Sequence, residues 1–376
     1  MSNLLTVPDA SISRQSWHSW EVRIALVSTH TSPHLAPGSG DAGGLNVVVA
    51  ETATRLRALG HSVEIVTAES ALTRLGPVDV IHAHYWTSAV AALPVARQVE
   101  AAFVVSLHTV AAVKNALLPA GERPEGAERL AAEQALVAAA DAVIASGPFE
   151  ARALVEAYGA DAAKVHVVAP GVDHAVFFPA PARRSTADRA DGGDQRAQLA
   201  VIGRIQPLKG QDLAIRALSE LPAGVNLTVA GAASGRSGAA YLASLRDLVA
   251  ARGLGGRIDF AGALARDKVA ALLRSSALCL LPSTSETFGL VALEAAACGV
   301  PVVASRTSGL ADSVVDGVTG ILVPGRDERV WAAAIGALLD DDAGRTRLAE
   351  HAAVHAESFD WKLTAARLES IYRLVV

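Results

Sequence analysis

The sequence predicts an α/β protein with two Rossmann-like domains, each a doubly wound parallel sheet, that face each other across a central cleft. Short apolar runs alternate with helical patterns along almost all of the 376 residues, and this alternation is typical of βαβ units. It breaks over residues 177–198, where Pro, Gly and charged residues gather. Because a chain of this length exceeds one hydrophobic core, we place the domain boundary at this break.

Short apolar runs predict the strands of both sheets. In the first domain, residues 1–176, they lie at 23–28, 62–68, 79–84, 103–108, 141–146 and 165–170. In the second, residues 177–358, they lie at 198–203, 225–231, 257–262, 277–283, 301–305 and 320–323. Residues 359–376 end the chain with an amphipathic helix that we expect to pack back toward the first domain. Ligands of such sheets bind beyond the carboxyl ends of the strands, so we expect a site in the cleft.

Composition argues against several classes of partner. A net charge of -5 leaves no basic field of the kind that nucleic-acid binding requires. No uninterrupted apolar stretch reaches the roughly eighteen residues of a membrane span. Cys279 and Cys298 lie in apolar segments, and no signal peptide is recognisable, so we expect a cytoplasmic protein.

A glycine-rich loop, "HTSPHLAPGSGDAGGLN" at residues 30–46, separates the first strand from an amphipathic helix. Gly43 and Gly44 lack Cβ atoms where backbone N–H groups at the helix start could approach a phosphate. A tight turn that only allows the helix to pack is the alternative interpretation. The loop matches neither GxGxxG nor a Walker motif, which disfavours dehydrogenases and P-loop enzymes.

Two further stretches carry charge at predicted strand ends. "VIGRIQPLKG" follows a strand and places Arg204 and Lys209 near Gly203, where two cations could neutralise a diphosphate. "SETFGLVALEAAACGVPVVAS" places Glu286 and Glu294 with seven residues between them. This spacing is about two helical turns, so both carboxylates can face one cleft. The intervening residues at the helix start offer N–H groups without helical partners; they are Thr287, Phe288, Gly289 and Leu290.

His82 and His84 alternate on one predicted strand, so their side chains share a face and could contribute to a metal site. The sequence suggests no third ligand, and we interpret both as packed or cleft-lining residues. We therefore expect no metal ion and no cofactor.

Together these motifs resemble the retaining glycosyltransferases of family 4, which have the GT-B fold. The resemblance spans essentially the whole chain and rests on the loop at 30–49, "HAHYW", "SLHTVAAVKNALL", "GRIQPLK" and "SETFGLVALEAAACGVPVVA". Within the family these motifs look most like the enzymes that glycosylate D-inositol 3-phosphate. The resemblance implies an acceptor-binding first domain and a second domain that binds a nucleoside-diphosphate sugar.

The resemblance also implies a role for each residue. Arg204 and Lys209 would hold the diphosphate and neutralise the leaving group, while Glu286 and His108 would contact the transferred sugar. The donor would be bound by Gly43, Gly44, Gly203, Thr287, Phe288, Gly289, Leu290 and Glu294, the last on the ribose. The acceptor would lie against Asn46, Tyr85, Thr109 and Arg129. The resemblance implies that the anomeric configuration is retained through front-face attack by the acceptor, which requires no protein nucleophile. The two glutamates would therefore not act as the acid and base of a glycosidase.

Two departures from the inositol-phosphate enzymes concern substrates. The connection at 69–77 is short and lacks the lysine that grips the acceptor phosphate, although Arg74 could substitute. Leu264 stands where those relatives have a base-contacting arginine, with Arg266 nearby, so the donor could carry uracil or guanine.

We therefore expect a diverged relative, used in specialised metabolism, that glycosylates a small polar acceptor such as an aminocyclitol or thiol. The alternative is an authentic D-inositol-3-phosphate N-acetylglucosaminyltransferase that uses UDP-GlcNAc. A nucleotide-sugar 2-epimerase and a non-catalytic sugar-nucleotide sensor share the architecture but would not need this set of residues. The sequence leaves a homodimer open.

Overall fold

The computed structural model describes residues 21–33, 35, 43–119, 122–179 and 197–376. Most of the predicted linker, together with residues 36–42 of the glycine-rich loop, lies outside the described residues.

The first sheet contains six parallel strands in the order β2-β1-β3-β4-β5-β6. The bounds of these strands are β1 Arg23–Val27, β2 Ser62–Val66, β3 Val80–His84, β4 Ala102–Ser106, β5 Ala142–Ala145 and β6 Val165–Val167. The strand order reverses between β1 and β3, which opens a crevice at their carboxyl ends.

The second sheet has the same number of strands, all parallel, in the order β12-β11-β10-β7-β8-β9. Their bounds are β7 Ala197–Ile202, β8 Val225–Ala230, β9 Ile258–Gly262, β10 Leu278–Leu281, β11 Val302–Ser305 and β12 Gly320–Val323. Every predicted strand is present, and the prediction of two doubly wound parallel sheets is confirmed.

Helices connect successive strands and cover both faces of each sheet. In the first half they are α1 Gly44–Ala58, α2 Glu69–Leu72, α3 Trp86–Gln98, α4 Ala111–Ala116, α5 Ala127–Ala139 and α6 Pro148–Tyr158. In the second half they are α7 Gln211–Ser219, α8 Gly238–Ala251, α9 Arg266–Ser275, α10 Leu290–Ala297, α11 Leu310–Ser313, α12 Glu328–Asp340, α13 Asp342–Glu357 and α14 Trp361–Val375. A 3-10 turn at Pro207–Lys209 precedes α7.

Each sheet is buried on both faces, which is why its strands read as continuous apolar runs. In β1, Ala25 and Val27 pack into one core, and Ile24 and Leu26 pack into another on the opposite face. The second sheet is likewise enclosed between two apolar cores. This burial holds the carboxyl ends of the strands in place, and the loops that follow them form the cleft.

The last helix, α14, returns to the first half of the molecule. Leu368 and Tyr372 belong to the same apolar core as Leu26 of β1, and Trp361 is also buried. The Thr364 hydroxyl donates a hydrogen bond of 2.9 Å to the carbonyl of Ala169. The chain therefore crosses between the two sheets a second time just before α14.

Two observations bear on membranes and on cysteine chemistry. Across the described ranges, the search for a helix with the length and apolar character of a membrane span finds no candidate. Cys279 and Cys298 are both buried and form no disulfide, and burial raises the pKa of the Cys298 thiol to about 11.

Candidate active site

A cavity of about 520 Å³ lies between the carboxyl ends of the two sheets. Its wall takes residues from both halves of the chain, including the ends of the loops that follow β1, β4, β7 and β10. All of the predicted donor-binding residues line it, as do the four residues predicted to be catalytic: His108, Arg204, Lys209 and Glu286. The fold therefore brings these residues into one site.

The glycine pair of the first half meets the second half across this cavity. A Cβ added at Gly43 would lie 3.3 Å from Nε of Arg204, and one added at Gly44 would lie 3.0 Å from Cδ1 of Leu290. Both distances are tighter than ordinary van der Waals contact. The absence of side chains at Gly43 and Gly44 is thus what permits the close approach of the two halves at this point.

The loop after β7 holds Arg204 and Lys209 in place through backbone contacts. A Cβ at Gly231 would lie 2.0 Å from the carbonyl oxygen of Gly203, so the ends of β7 and β8 can approach only without one. The buried Gln211 amide donates a hydrogen bond of 3.0 Å to the carbonyl of Arg204. Lys209 Nζ donates to Oε1 of Glu286 at 2.5 Å, which joins this loop to the one before α10.

The loop before α10 contributes Ser285, Thr287 and Phe288 to the cavity wall. The backbone N–H of Glu286 donates to the Ser308 hydroxyl at 2.8 Å. A Cβ at Gly309 would lie only 1.8 Å from the carbonyl oxygen of Thr287, so the two loops are in direct backbone contact. Gly289 caps α10 with φ +95°, a left-handed conformation that favours glycine. The start of α10 adds the partial positive charge of a helix N-terminus to the wall that holds Arg204 and Lys209, and the Lys209 ammonium is paired with Glu286.

Glu294 lies deeper in the cavity wall, one helical turn into α10. Burial raises the pKa of its carboxyl to about 7, while the charge of Arg266 acts in the opposite direction. Arg266 lies 3.8 Å from Oε1 of Glu294, and its guanidinium is also over the ring of Phe177, 5.2 Å from the centroid. Leu264 lines the same end of the cavity. Of the two residues considered at the base position, Arg266 is therefore the one that the structure places next to Glu294.

His108 follows β4 and connects the two halves. Its backbone has φ +59°, and its carbonyl accepts a hydrogen bond of 2.5 Å from the Thr287 hydroxyl. Its ring nitrogen Nε2 lies 2.8 Å from Nδ1 of His84. Burial lowers the pKa of His108 to about 4, so the imidazole is neutral at physiological pH.

Three of the predicted acceptor residues form one cluster in the cavity wall. Arg129 donates to the Tyr85 hydroxyl at 3.0 Å and to the Thr109 hydroxyl at 2.8 Å. It also pairs with Glu133, Nε to Oε1 at 2.6 Å, although both side chains are buried. Arg129 thus positions the two hydroxyls as well as carrying a charge.

Asn46, the fourth predicted acceptor residue, lies behind the cavity wall. Its Oδ1 accepts a hydrogen bond of 3.1 Å from the N–H of Gly43, and its Nδ2 donates to Thr31 and to the carbonyl of Ser32. Its side chain is only 1% exposed. Asn46 therefore stabilises the glycine-rich loop, and the structure does not place its side chain in the wall with Tyr85.

The sequence analysis missed three residues of this site. Lys114 lines the cavity and pairs with Glu125, which in turn lies 3.2 Å from Arg129. Glu150 is a buried carboxylate in the wall that accepts hydrogen bonds from Ser146. In the sequence, Lys114 was marked only by its position in the segment "VAAVKNALL". Glu150 lies among apolar residues of a helix, and no motif marked it as a site residue. Gln211, described above, is the third.

Arg74, which the sequence suggested as a replacement for the missing lysine, is exposed and is not part of the cavity wall. His82 and His84 are buried neighbours with ring centroids 4.2 Å apart. Within the part of the chain that the structure describes, no three His, Cys, Asp or Glu side chains form a group that could hold a metal ion.

This architecture, two Rossmann-like domains with Arg204 and Lys209 in the wall of the cleft between them, is that of a GT-B glycosyltransferase. Family models agree: residues 186–355 match glycosyl transferases group 1, and residues 68–176 match glycosyltransferase family 4. A sucrose-phosphate synthase from Thermosynechococcus elongatus superposes with a TM-score of 0.85 at 25% identity, covering 94% of this chain and 99% of that one. An Anabaena protein, HepE, in complex with UDP-glucose shares the fold, with a TM-score of 0.75 at 22% identity over 94% of this chain and all of its own.

Similarity to curated relatives identifies the family within the GT-B glycosyltransferases. The D-inositol 3-phosphate glycosyltransferase of Kineococcus radiotolerans is 38% identical over 94% of this chain and 95% of its own length. The enzyme of the same name from Mycobacterium tuberculosis is also 38% identical, over 94% of this chain and 83% of its own. The chain therefore belongs to the family 4 glycosyltransferases, and it is similar to these inositol-phosphate enzymes over nearly its whole length.

Proposed function

We propose that this protein transfers a sugar from a nucleoside-diphosphate sugar to a small polar acceptor, with retention of the anomeric configuration and without a metal ion. The observation that carries the proposal is the convergence of Arg204, Lys209 and the glycine pair at one cavity. UDP and GDP sugars are the candidate donors. The name shared by the curated relatives, D-inositol 3-phosphate glycosyltransferase, supports the class of reaction.

The diphosphate binds against the cations of the β7 loop and the N–H groups before α10. As the glycosidic bond breaks, negative charge develops on the departing phosphate, and Arg204 and Lys209 stabilise it electrostatically. Their charges are in position before the reaction, because Gln211 and Glu286 hold the loop. This neutralisation is the role that a metal ion has in other transferases.

Glu286 and His108 bind the transferred sugar from opposite sides of the cleft, and Glu294 binds the ribose. The departing phosphate oxygen takes the proton of the acceptor hydroxyl as the new bond forms on the same face. No protein side chain is bonded to the sugar at any stage. The neutral state of His108 fits a hydrogen-bonding role and not that of a general acid.

The acceptor end suggests a substrate other than a phosphate dianion. The positive charges of Arg129 and Lys114 are each already paired, with Glu133 and Glu125 respectively. The cluster is therefore close to neutral before any acceptor binds, and Arg74 is too exposed to add a charge at the wall. We infer a neutral or amino-bearing acceptor, such as an aminocyclitol, in a diverged relative of the inositol-phosphate enzymes.

The test is a matrix of assays on the full chain. UDP-GlcNAc, UDP-glucose and GDP-mannose are each offered with D-inositol 3-phosphate, an aminocyclitol or a small thiol, with and without EDTA. We expect transfer that EDTA does not reduce, at least tenfold faster to a non-phosphorylated acceptor, with the anomeric NMR coupling of the donor kept in the product. A preference for D-inositol 3-phosphate as acceptor would identify an authentic inositol-phosphate enzyme. A product with inverted anomeric configuration would contradict the proposed retaining mechanism.

Incubation with donor alone separates a transferase from a nucleotide-sugar 2-epimerase. A transferase releases at most slow hydrolysis products, whereas an epimerase yields the C2 epimer of the sugar. Appearance of that epimer would contradict the proposed function.

A further inference from the structure

Two hydrogen-bonded histidines, a buried one and one that lines the cavity, link the cavity to the core of the first domain. His108 lines the cavity, and its Nε2 lies 2.8 Å from Nδ1 of His84, with the rings stacked at 5.1 Å between centroids. His84 is 1% exposed. Burial lowers the pKa of both rings below the ordinary value of 6.5, so each imidazole carries one proton. One ring must therefore donate and the other accept.

Two proton arrangements satisfy this contact. In the first, Nδ1–H of His84 donates to Nε2 of His108, and the proton of His108 then resides on its Nδ1. In the second, Nε2–H of His108 donates to Nδ1 of His84, and the proton of His84 resides on its own Nε2. The two differ in what His108 presents to the cavity: an N–H donor in the first arrangement and a lone pair in the second.

The other nitrogen of His84 distinguishes the arrangements. Its Nε2 is buried and has no hydrogen-bond partner among the residues that the structure describes. In the second arrangement this atom would be an N–H without an acceptor, and orphaned buried donors are rarer than under-satisfied acceptors. In the first arrangement it is an acceptor without a donor, which is the less costly of the two.

We propose that His84 is a positioning residue that fixes His108 in its Nδ1–H tautomer, so that His108 offers the cavity a hydrogen-bond donor. The next step depends on the proposed function. The Nδ1–H of His108 would favour a transferred sugar that places a hydrogen-bond-accepting oxygen opposite it. A sugar that lacks that oxygen would cover this N–H without giving it a partner, which is a strong basis for discrimination.

The ring of His84 is itself held in place by its neighbour. The ring of His82 lies tilted against it, with 4.2 Å between centroids, and is hydrogen-bonded on both sides, to the Tyr372 hydroxyl at 2.7 Å and the Ser106 hydroxyl at 2.8 Å. The contact with Tyr372 connects the histidine stack to α14. His84 can thus act on His108 as a rigid group rather than as a mobile side chain.

The first test measures the tautomer directly, without substrate. Long-range 1H–15N correlation spectra of the full chain, labelled at histidine nitrogens, report which nitrogen of each ring is protonated. We expect His108 to be protonated at Nδ1 and His84 also at Nδ1. A His108 ring protonated at Nε2 overturns the proposal, whatever the enzyme's activity proves to be.

The second test uses three variants. His84→Asn can place an amide N–H where Nδ1 stood, so we expect it to keep the His108 signature and turnover within about threefold. His84→Leu removes the donor, and we expect a mixed His108 signature and kcat lowered about tenfold or more, with a smaller change in donor KM. Tyr372→Phe is the matched control, because it removes a hydrogen bond from the same stack but not from His108. Equal losses in His84→Asn and His84→Leu, or a changed tautomer in Tyr372→Phe, would contradict the proposal.

Discussion

Lys209 Nζ and Oε1 of Glu286 lie 2.5 Å apart, although 77 residues separate them in the chain. This ion pair joins the loop after β7 to the loop before α10, and both loops line the cavity. In the proposed reaction it holds the ammonium of Lys209 at a fixed position, where it faces the diphosphate before the leaving group departs. Preorganisation of this kind stabilises the transition state without reorganisation during the reaction.

Replacing Lys209 by Ala should lower kcat on the order of 100-fold, with a smaller change in donor KM, because the lost charge acts mainly on the leaving group. Steady-state kinetics with a fixed acceptor measure both constants. Lys268→Ala is the control, since that lysine is 71% exposed on α9. An unchanged kcat in Lys209→Ala would remove the residue from the catalytic step.

Lys114→Ala should raise the acceptor KM about tenfold, because it leaves the Glu125 carboxylate without its lysine partner beside Arg129 and so disturbs the acceptor cluster. Hydrolysis of the donor in the absence of acceptor should not change, because Lys114 lies at the acceptor end of the cavity. Arg74→Ala should leave both quantities unchanged, since Arg74 is outside the cavity wall. A raised acceptor KM in Arg74→Ala and an unchanged one in Lys114→Ala would contradict this prediction. That result would show that the loop at 69–77 supplies the acceptor-binding cation.

Gly309→Ala should displace the loop before α10, because the new Cβ would meet the carbonyl of Thr287 at 1.8 Å. The residues that this loop contributes to the cavity wall would move, so we expect weaker nucleotide binding, measured by calorimetry with UDP or GDP. Gly336→Ala is the matched control. It lies in α12 with only Leu221 within reach, at 3.8 Å, and should stabilise the protein by about 0.5–1 kcal/mol. Nucleotide affinity equal in the two variants would show that the loop position is unimportant.

Glu150→Gln should change how stability depends on pH. Burial raises the pKa of the Glu150 carboxyl from its ordinary value of 4.5 to about 7. The folded state therefore holds a proton that the unfolded state has released, and wild-type stability falls as the pH rises from 4.5 through 7. The Gln variant lacks this loss, so its stability relative to wild type should improve by on the order of 3 kcal/mol over that interval.

Urea titrations at several pH values measure this difference for Glu150→Gln. Glu294 has a pKa shifted in the same way, but it is present in both proteins, so its contribution cancels. A stability difference that stays constant between pH 4.5 and 8 would show that Glu150 is ionised throughout.

Much of the fold could be predicted from the sequence. Strand β5 was predicted at 141–146 and is found at Ala142–Ala145, and β12 was predicted at 320–323 and is found at Gly320–Val323. The agreement has a physical cause, because a parallel strand covered by helices on both faces must be apolar along its whole length. The motif with Glu286 and Glu294 was also readable, since its spacing is set locally by one helix and the turn before it.

Several side-chain contacts were not predicted from the sequence, although their partners lie within eleven residues of each other in the chain. Asn46 was expected in the acceptor site, but a local hydrogen bond to Gly43 draws its side chain into the loop. Arg129 and Lys114 appeared to be available charges, and only the folded chain shows the glutamates that neutralise them.

The sequence by itself determined the two sheets, the family and the residue types that line the cavity, because these depend on local patterns of apolar and charged residues. The tertiary structure decided which of those residues face the cavity and in what state. The contact between Nε2 of His108 and Nδ1 of His84, at 2.8 Å, depends on the register of β3 against β4. The contact of Phe149 N–H with the Asp312 carboxylate, at 2.8 Å, depends on how the two halves pack. Neither contact can be predicted from a short stretch of sequence, because each depends on the packing of many buried residues at once.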